Sequence, residues 1–360
     1  MSSPTPRPPR PPRPLRPPTI RDVAERAGVS KSLVSLVLRG SGQVSPERRD
    51  AVLTAAQDLG YRPNAAARSL SERRTRTVGV LLNDLRNPWF VDLLDGLNGP
   101  LRTAGLHMLL ADARLSRRAG HDLTGPFLDL AVDALVVVGT LPDPVALDRD
   151  ALAAVAARMP VVVAGAREAV PDGVDLIAGD DERGVRLVIE HLITLGHRRI
   201  AHLAGYGVVG EVRLRAFQAT MLAHGLGREA LAEPCDLTEE GGHRAAVRLL
   251  ARPDRPTAVL AANDIAAVGA LSAAQDLGLD VPGDVSVAGY DNTSIARLRH
   301  VRLTTVDHAG HEMGHRAARC LLDRLEGTGE GAGGADRRAG RLYLTVPRLE
   351  ARATTGPVVV

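Results

Sequence analysis

Aromatic residues are scarce in this 360-residue chain, with one Trp, four Tyr and three Phe, together 2% of the sequence. Cysteine is scarcer still: Cys235 and Cys320 are the only two. Two distant thiols cannot form a disulfide framework, so a reducing, cytoplasmic setting is expected. No apolar run reaches the roughly 18 residues that a membrane-spanning helix needs, so no membrane partner is expected. The first 18 residues, mostly Pro and Arg, lack the apolar segment of a secretory signal. They cannot bury a core and are read as a disordered leader of polyproline II character. Its arginines, Arg7, Arg10, Arg13 and Arg16, recur every three residues. They suit salt-sensitive, sequence-blind DNA contact, and equally a solvated leader with no role.

The whole chain has little net charge, +3, but the charge is unevenly placed. Residues 1–76 hold 15 Arg/Lys against 6 Asp/Glu, a net of +9. Residues 77–360 hold 30 against 36, a net of −6, which recovers the total. A basic front end on an acidic body points to a nucleic-acid-binding module joined to a domain with another task.

What the chain does have is a patterned stretch from Thr19 to Leu70. Thr19 and Asp22 form a capping-box pattern, Val23, Ala24 and Ala27 follow at helical spacing, and Gly28 allows a sharp turn. Ser30 then caps a second helix over Lys31 to Arg39, and Ser45-Pro46 opens a third that closes at Leu59-Gly60. Two short helices joined by a glycine turn spell helix-turn-helix. On the second helix Val34, Val37 and Leu38 share one arc, which faces the other helices. Lys31, Ser32, Leu36, Ser35 and Arg39 lie on the opposite arc, a set suited to the major groove. Leu36 is expected to be exposed there, free to lie against a thymine methyl.

The segments TIRDVAERAGVS (from Thr19), V-S-x-V-L (Val34 to Leu38) and YRPNAAARSL (Tyr61 to Leu70) resemble the headpiece of the LacI/GalR family of bacterial transcriptional regulators. The resemblance implies DNA contacts from Thr19, Lys31, Ser32, Leu33, Ser35, Leu36 and Arg39. It further implies a hinge helix at Tyr61 to Leu70, in which Asn64, Ala67 and Leu70 enter the minor groove and Leu70 wedges between base pairs. Leu33 and Leu36 stand where family members often carry Thr and Arg, so the operator sequence is not to be carried over from better-known relatives.

Beyond a polar linker, apolar runs alternate with amphipathic stretches. Strands are expected at Thr77–Leu82, His107–Ala111, Ala134–Val138, Val161–Ala164, Leu176–Ala178, Ile200–Leu203, Ala258–Ala261, Val285–Ala288 and Arg341–Leu344. Helices are expected at Trp89–Ala104, Arg183–Leu195, Arg213–His224, His243–Ala251 and Ile265–Leu277. Such alternation predicts an α/β body, and its length calls for two doubly wound parallel-sheet lobes with a ligand cleft between them. GHRRIAHLAG (Gly196–Gly205), RPTAVLAANDIAAVGAL (Arg255–Leu271) and VPGDVSVAGYDN (Val281–Asn292) resemble the effector domain of the same family. That domain is similar to periplasmic sugar-binding proteins, whose chain crosses between the lobes three times. The organisation read from the sequence is thus a leader (1–18), a helix-turn-helix domain (19–60), a hinge helix and linker (61–76), and an effector-binding and dimerisation domain (77–360).

Several residues fall at cleft positions. Trp89 and Phe90 follow the first strand of the body and fit either stacking on a ligand ring or a plug for the lobe core. Arg213, Asn263 and Asp291 match the family positions that hydrogen-bond the effector. Arg213 also fits an ion pair between lobes, and Asp264 a cap for the helix after it. Leu237 stands where some relatives place an aromatic over the ligand, which leaves the ligand class open.

Three patterns invite an enzyme reading. His311-Glu312-Met313-Gly314-His315 fits a zinc-protease helix, yet Ala317, Cys320, Leu321 and Leu325 continue it as a packing face. Chance metal binding there together with His308 is the stronger of the metal readings. Gly205 to Gly210 fits G-x-G-x-x-G after a strand, but no acidic strand end follows at dinucleotide spacing, so it is read as a cleft loop. Neither cysteine has a paired His.

The expected protein is therefore not an enzyme and uses no cofactor or metal. It is a homodimeric repressor that reads pseudo-palindromic operator DNA under the control of a small-molecule effector, a sugar or related polar metabolite. No heptads follow the last strand, so a dimer is expected over a tetramer. A solute-binding protein for uptake is the rival reading, and the basic headpiece counts against it.

Overall fold

The computed structural model describes residues 18–38, 43–61, 74–118, 124–139, 149–165, 170–327 and 340–358. The chain divides into two units, Met1–Thr75 and Arg76–Val360.

The first unit is built on α1 (Ile20–Ala27), α2 (Lys31–Leu38) and α3 (Pro46–Asp58). The Asp22 carboxylate accepts from the Thr19 backbone amide at 2.7 Å and from its hydroxyl at 2.8 Å, which closes the start of α1. Gly28 ends the helix in the left-handed conformation, φ 64°, which a residue without a Cβ adopts at no steric cost. Ser30 Oγ accepts from the Leu33 amide at the start of α2, and Ser45-Pro46 opens α3. Val23, Val34, Val37, Val52, Ala55 and Ala56 form the buried core. Leu36 corrects the expectation of an exposed leucine. It is half-buried and packs against that core together with Leu33, because the core of so small a domain, drawn from all three helices, reaches both flanks of α2.

In the second unit the chain runs through β1 (Thr77–Leu82), α4 (Trp89–Thr103), β2 (His107–Asp112), α5 (Ala113–Arg118), α6 (Gly125–Asp129), β3 (Ala134–Val138), α7 (Arg149–Ala156), β4 (Val161–Ala164) and β5 (Asp175–Gly179). It continues through α8 (Asp181–Thr194), β6 (Ile200–Ala204), α9 (Gly207–Ala223), β7 (Ala230–Pro234), α10 (Glu239–Leu250), β8 (Ala258–Ala261), α11 (Asp264–Asp276) and β9 (Ser286–Ala288). It ends through β10 (Thr305–Asp307), α12 (Gly310–Glu326), β11 (Leu342–Thr345) and β12 (Arg348–Glu350).

Two parallel sheets result, in the orders β11-β5-β4-β3-β1-β2 for the first lobe and β7-β6-β8-β9 for the second. The chain leaves the first lobe after β5, returns to it through β10 and α12, and leaves again after β11. The antiparallel pair β10–β12 joins the last two passages. The first sheet is buried on both faces. Val78, Val80 and Leu82 of β1 face α4 and α12, while Leu81 packs with Phe127 and Leu135 on the other side. This is why its central strands read as unbroken apolar runs.

Helix α12 carries the His-Glu-Met-Gly-His segment. Met313 and Gly314 are buried and His311, Glu312 and His315 are exposed. A Cβ at Gly314 would overlap the Leu93 carbonyl oxygen, and one at Gly96 the His311 carbonyl oxygen. The glycines therefore let α4 and α12 cross at backbone contact. Among the described residues no group of three or more His, Cys, Asp and Glu could hold a metal ion, and none of the helices is long and apolar enough to cross a membrane.

The structure also extends or adds elements. Helix α9 starts at Gly207 rather than Arg213 and takes in most of the glycine pattern, because Tyr206 leaves the strand already in cap geometry. Helix α10 starts at Glu239, where the Thr238 hydroxyl accepts from the Gly241 amide. Strand β7 is a half-exposed edge ending in Pro234, and α5, α6 and α7 are short, so none of them imposes a clear apolar period.

Candidate functional site

Two surfaces carry the side chains expected to bear function. In the headpiece, Lys31 and Ser32 are exposed at the start of α2, and Ser35 is half-buried beside them. Leu33 and Leu36 show only part of their side chains. Thr19 is half-buried and tied into its cap. Arg39, Asn64, Ala67 and Leu70 lie outside the described residues.

In the second unit a cleft of about 900 Å³ opens between the two lobes. All six residues expected there line it: Trp89, Phe90, Arg213, Leu237, Asn263 and Asp291. Trp89 and Phe90 begin α4, and their rings meet edge-on with centroids 5.0 Å apart. Both are about 95% buried and belong to the first lobe's core as well, so they serve as plug and cleft wall together. Leu237, 45% exposed, faces the cleft from the second lobe.

The floor is electrostatic. Arg213, on the second turn of α9, donates from Nε to Asp181 Oδ1 at 3.1 Å and from Nη1 to the Ala262 carbonyl at 2.6 Å. Its Nη2 lies 3.6 Å from Asp291 Oδ1. The guanidinium also sits over the Tyr290 ring, 3.7 Å from its centroid. Burial opposes the charge on Arg213, but Asp181 and Asp291 outweigh it and hold its pKa above the ordinary value. Asp291 has the reverse balance. Burial pushes its carboxyl up to about 8; Arg213 pulls it down by less, and Asp264 and Asp181 push it further up. His308 completes the floor, with Nε2 3.3 Å from Asp291 Oδ1 and its ring stacked on Trp89. It is buried in this floor, while His311 and His315 are exposed on α12, so the structure does not bring together the three histidines of the chance-metal alternative.

The loop that carries Asp291 is held in a costly conformation. Asp291 has φ 106° and Asn292 φ 49°, both in the region that favours glycine. The Asp291 amide donates to the Val306 carbonyl at 2.8 Å. Arg352 donates to the Asn292 side-chain oxygen at 2.7 Å, so residues just beyond β12 brace the same turn. Asp264 braces it from the other side by accepting from the Thr293 amide, the Thr293 hydroxyl and the Thr305 hydroxyl at 2.6–2.9 Å. Burial raises the Asp264 carboxyl to about 6, with these hydrogen bonds opposing. The helix cap is Asn263, whose Oδ1 accepts from the Ala266 amide at 2.9 Å, so the expected cap role of Asp264 is corrected by one position.

The mouth has ion pairs on each lobe. Asp84 accepts from Arg86, which holds its carboxyl down at about 2, and lies 3.2 Å from Arg114 Nε. Across the cleft Arg244 meets Asp236 at 3.0 Å and Glu240 at 2.8 Å. Sequence reasoning missed these groups, as it missed Asp181, Tyr290 and His202. Only His202 left a visible signal, as the lone polar residue inside the apolar strand Ile200–Ala204.

Comparison with known proteins covers both units. The profile of bacterial regulatory proteins of the lacI family matches residues 19–64, and that of a periplasmic binding protein-like domain matches residues 189–355. The HTH-type transcriptional repressor PurR of Erwinia tasmaniensis is 34% identical over 312 residues, which is 85% of this chain and 90% of PurR. The HTH-type transcriptional regulator CelR of Thermobifida fusca is 36% identical over 322 residues, 86% of this chain and 92% of CelR. Among solved structures, the lac repressor dimer bound to operator and the anti-inducer ONPF superposes with a TM-score of 0.80 at 27% identity. That match covers 95% of this chain and 100% of that one.

Proposed function

Because this chain belongs to the LacI family of bacterial transcriptional regulators, we propose that it represses transcription from an operator to which its affinity is set by a small polar molecule in the cleft. We read it as a regulator and not an enzyme, and as a homodimer. The observation that carries the effector half of this reading is the buried Arg213–Asp181–Asp291 floor, placed where the chain passes between lobes. A sugar or related polar metabolite that hydrogen-bonds Arg213, Asn263 and Asp291 would touch both lobes and fix the angle between them. A change in that angle would alter the spacing of the two hinge helices of a dimer, a two-state element biased by differential binding.

On the DNA side, Lys31, Ser32, Leu33, Ser35, Leu36 and Arg39 are proposed to face the major groove. Thr19 fixes the first helix against it, and Asn64, Ala67 and Leu70 enter the minor groove. Two such headpieces require a site of twofold symmetry. In-vitro selection of the full-length protein on random duplex DNA at about physiological salt tests this reading. A pseudo-palindrome is expected to emerge, and no enrichment with or without a metabolite extract would contradict it. Leu70→Ala is expected to weaken binding to the selected site at least tenfold while leaving non-specific binding unchanged, because only the bent complex uses the wedge.

A further inference from the structure

In the second lobe the surroundings of His191, His197 and His202 differ. His197 is fully engaged: Nδ1 meets the Thr257 hydroxyl at 2.9 Å, and Nε2 meets the Ser286 hydroxyl and the Gly356 carbonyl, both at 3.0 Å. His191 meets the Thr355 hydroxyl at 3.0 Å. His202, 1% exposed on β6, is engaged on one side only. Its Nδ1 lies 3.0 Å from the Leu260 carbonyl, which can only accept, so Nδ1 carries the proton. Its Nε2 is then a bare acceptor, and it has no hydrogen-bond partner among the described residues. Burial, with the Leu260 bond opposing and Arg213 assisting, holds the ring's pKa down at about 4, so the acceptor is present at neutral pH.

A buried acceptor without a partner is costly, and His202 borders the cleft. Asn263 borders it too, and there Oδ1 is occupied by the cap while Nδ2 has no partner among the described residues. The charged groups of the cleft show the opposite condition. Each of its four arginines, Arg86, Arg114, Arg213 and Arg244, already faces a carboxylate of this chain. A phosphate or carboxylate ligand would have to displace one of those partners, whereas a hydroxyl or amide finds an acceptor and a donor waiting.

We propose that His202 is a specificity-determining residue: its Nε2 accepts a hydrogen bond from an O–H or N–H of an uncharged effector. This rests on the reading of the cleft as the effector site. A site built to pair a ligand donor discriminates strongly against analogues that lack it, because the protein acceptor is then left unpaired.

The test uses the full-length protein and a low-molecular-weight bacterial extract, split by anion exchange into a neutral flow-through and an anionic eluate. Trp89, the only tryptophan, lies in the cleft and reports binding by its fluorescence. The neutral fraction is expected to change Trp89 emission and to lose that effect in Asp291→Ala. His202→Leu should need about tenfold more of the fraction, the loss of one hydrogen bond that must be paired. His202→Gln, which keeps an acceptor near the Nε2 position, should respond close to wild type. Should His202→Leu fail to fold, His202→Asn, whose acceptor falls short of that position, takes its place. Activity in the anionic eluate, or an unchanged response in His202→Leu or its substitute, would overturn the inference while leaving the cleft reading intact. Silence in both fractions, or an equal response in Asp291→Ala, would overturn the cleft reading and this inference with it.

Discussion

At the floor of the cleft the side chains of Arg213, Asp181 and Asp291 are 8%, 0% and 7% exposed, whereas at the mouth those of Arg244, Asp236 and Glu240 are 49%, 55% and 82% exposed. The contacts are of similar length and involve the same chemical groups. Water makes the difference. At the mouth, solvent screens each pair and would replace a lost partner at little cost. At the floor, no solvent can take the place of a missing partner, so each charge depends on the others remaining. Under the proposed function, the floor is therefore the place where a ligand that competes for one hydrogen bond would disturb a whole network, which the solvated pairs of the mouth would not transmit.

The sharpest way to break this comparison is to remove the central charge. Arg213→Met should destabilise the second unit by about 3–5 kcal/mol by leaving the buried Asp181 carboxylate without its cation and Asp291 without its nearest donor. Urea unfolding would measure it, and a change under 1 kcal/mol would place the floor in the same class as the mouth. Next in size, Asp264→Ala should cost about 1–3 kcal/mol, because it strands the Thr293 amide and two hydroxyls. The same variant should weaken the effector response, since the strained Asp291 turn loses its brace.

A pH titration sharpens the contrast further. Asp264 and Asp291 have folded pKa values raised to about 6 and about 8 from an ordinary 3.8. The folded state then binds more protons than the unfolded state between about pH 4 and 8, so their contribution is complete below pH 4 and is lost as pH rises to 8. The melting temperature should accordingly fall from pH 6 to pH 8, and Asp291→Asn should flatten that fall. An identical slope in the variant would refute the assignment. The smallest effect belongs to the mouth: Arg244→Ala should change stability by less than about 1 kcal/mol.

Much of the fold is legible in the sequence for a physical reason. Ala134–Val138, Val161–Ala164 and Ala258–Ala261 have the expected bounds because strands buried on both faces must be apolar throughout. Edge strand β7 and the short helices α5 and α6 meet solvent on one side and carry no such constraint. For the site, Arg213, Asn263 and Asp291 could be placed through a resemblance, and the structure brings them into one cleft. Their partners could not, since Asp181 follows β5, Tyr290 follows β9 and His308 follows β10, and no local spacing links them. Asn263 and Asp264 are both good helix caps, and a one-residue difference in backbone phase decides which of them caps α11 and which turns back to hold the Asp291 loop. Leu36 shows the limit of helical-wheel reasoning. A residue on the arc opposite the core can still pack against that core when the domain is this small.

If the cleft works as proposed, the buried floor converts ligand binding into a change of operator affinity. Operator affinity of the full-length protein, measured by fluorescence anisotropy on the selected site with and without a low-molecular-weight extract, tests it most directly. The account predicts that the extract shifts the affinity of the wild type, while Asp291→Ala binds the same operator and shows no shift. An equal shift in Asp291→Ala would contradict it.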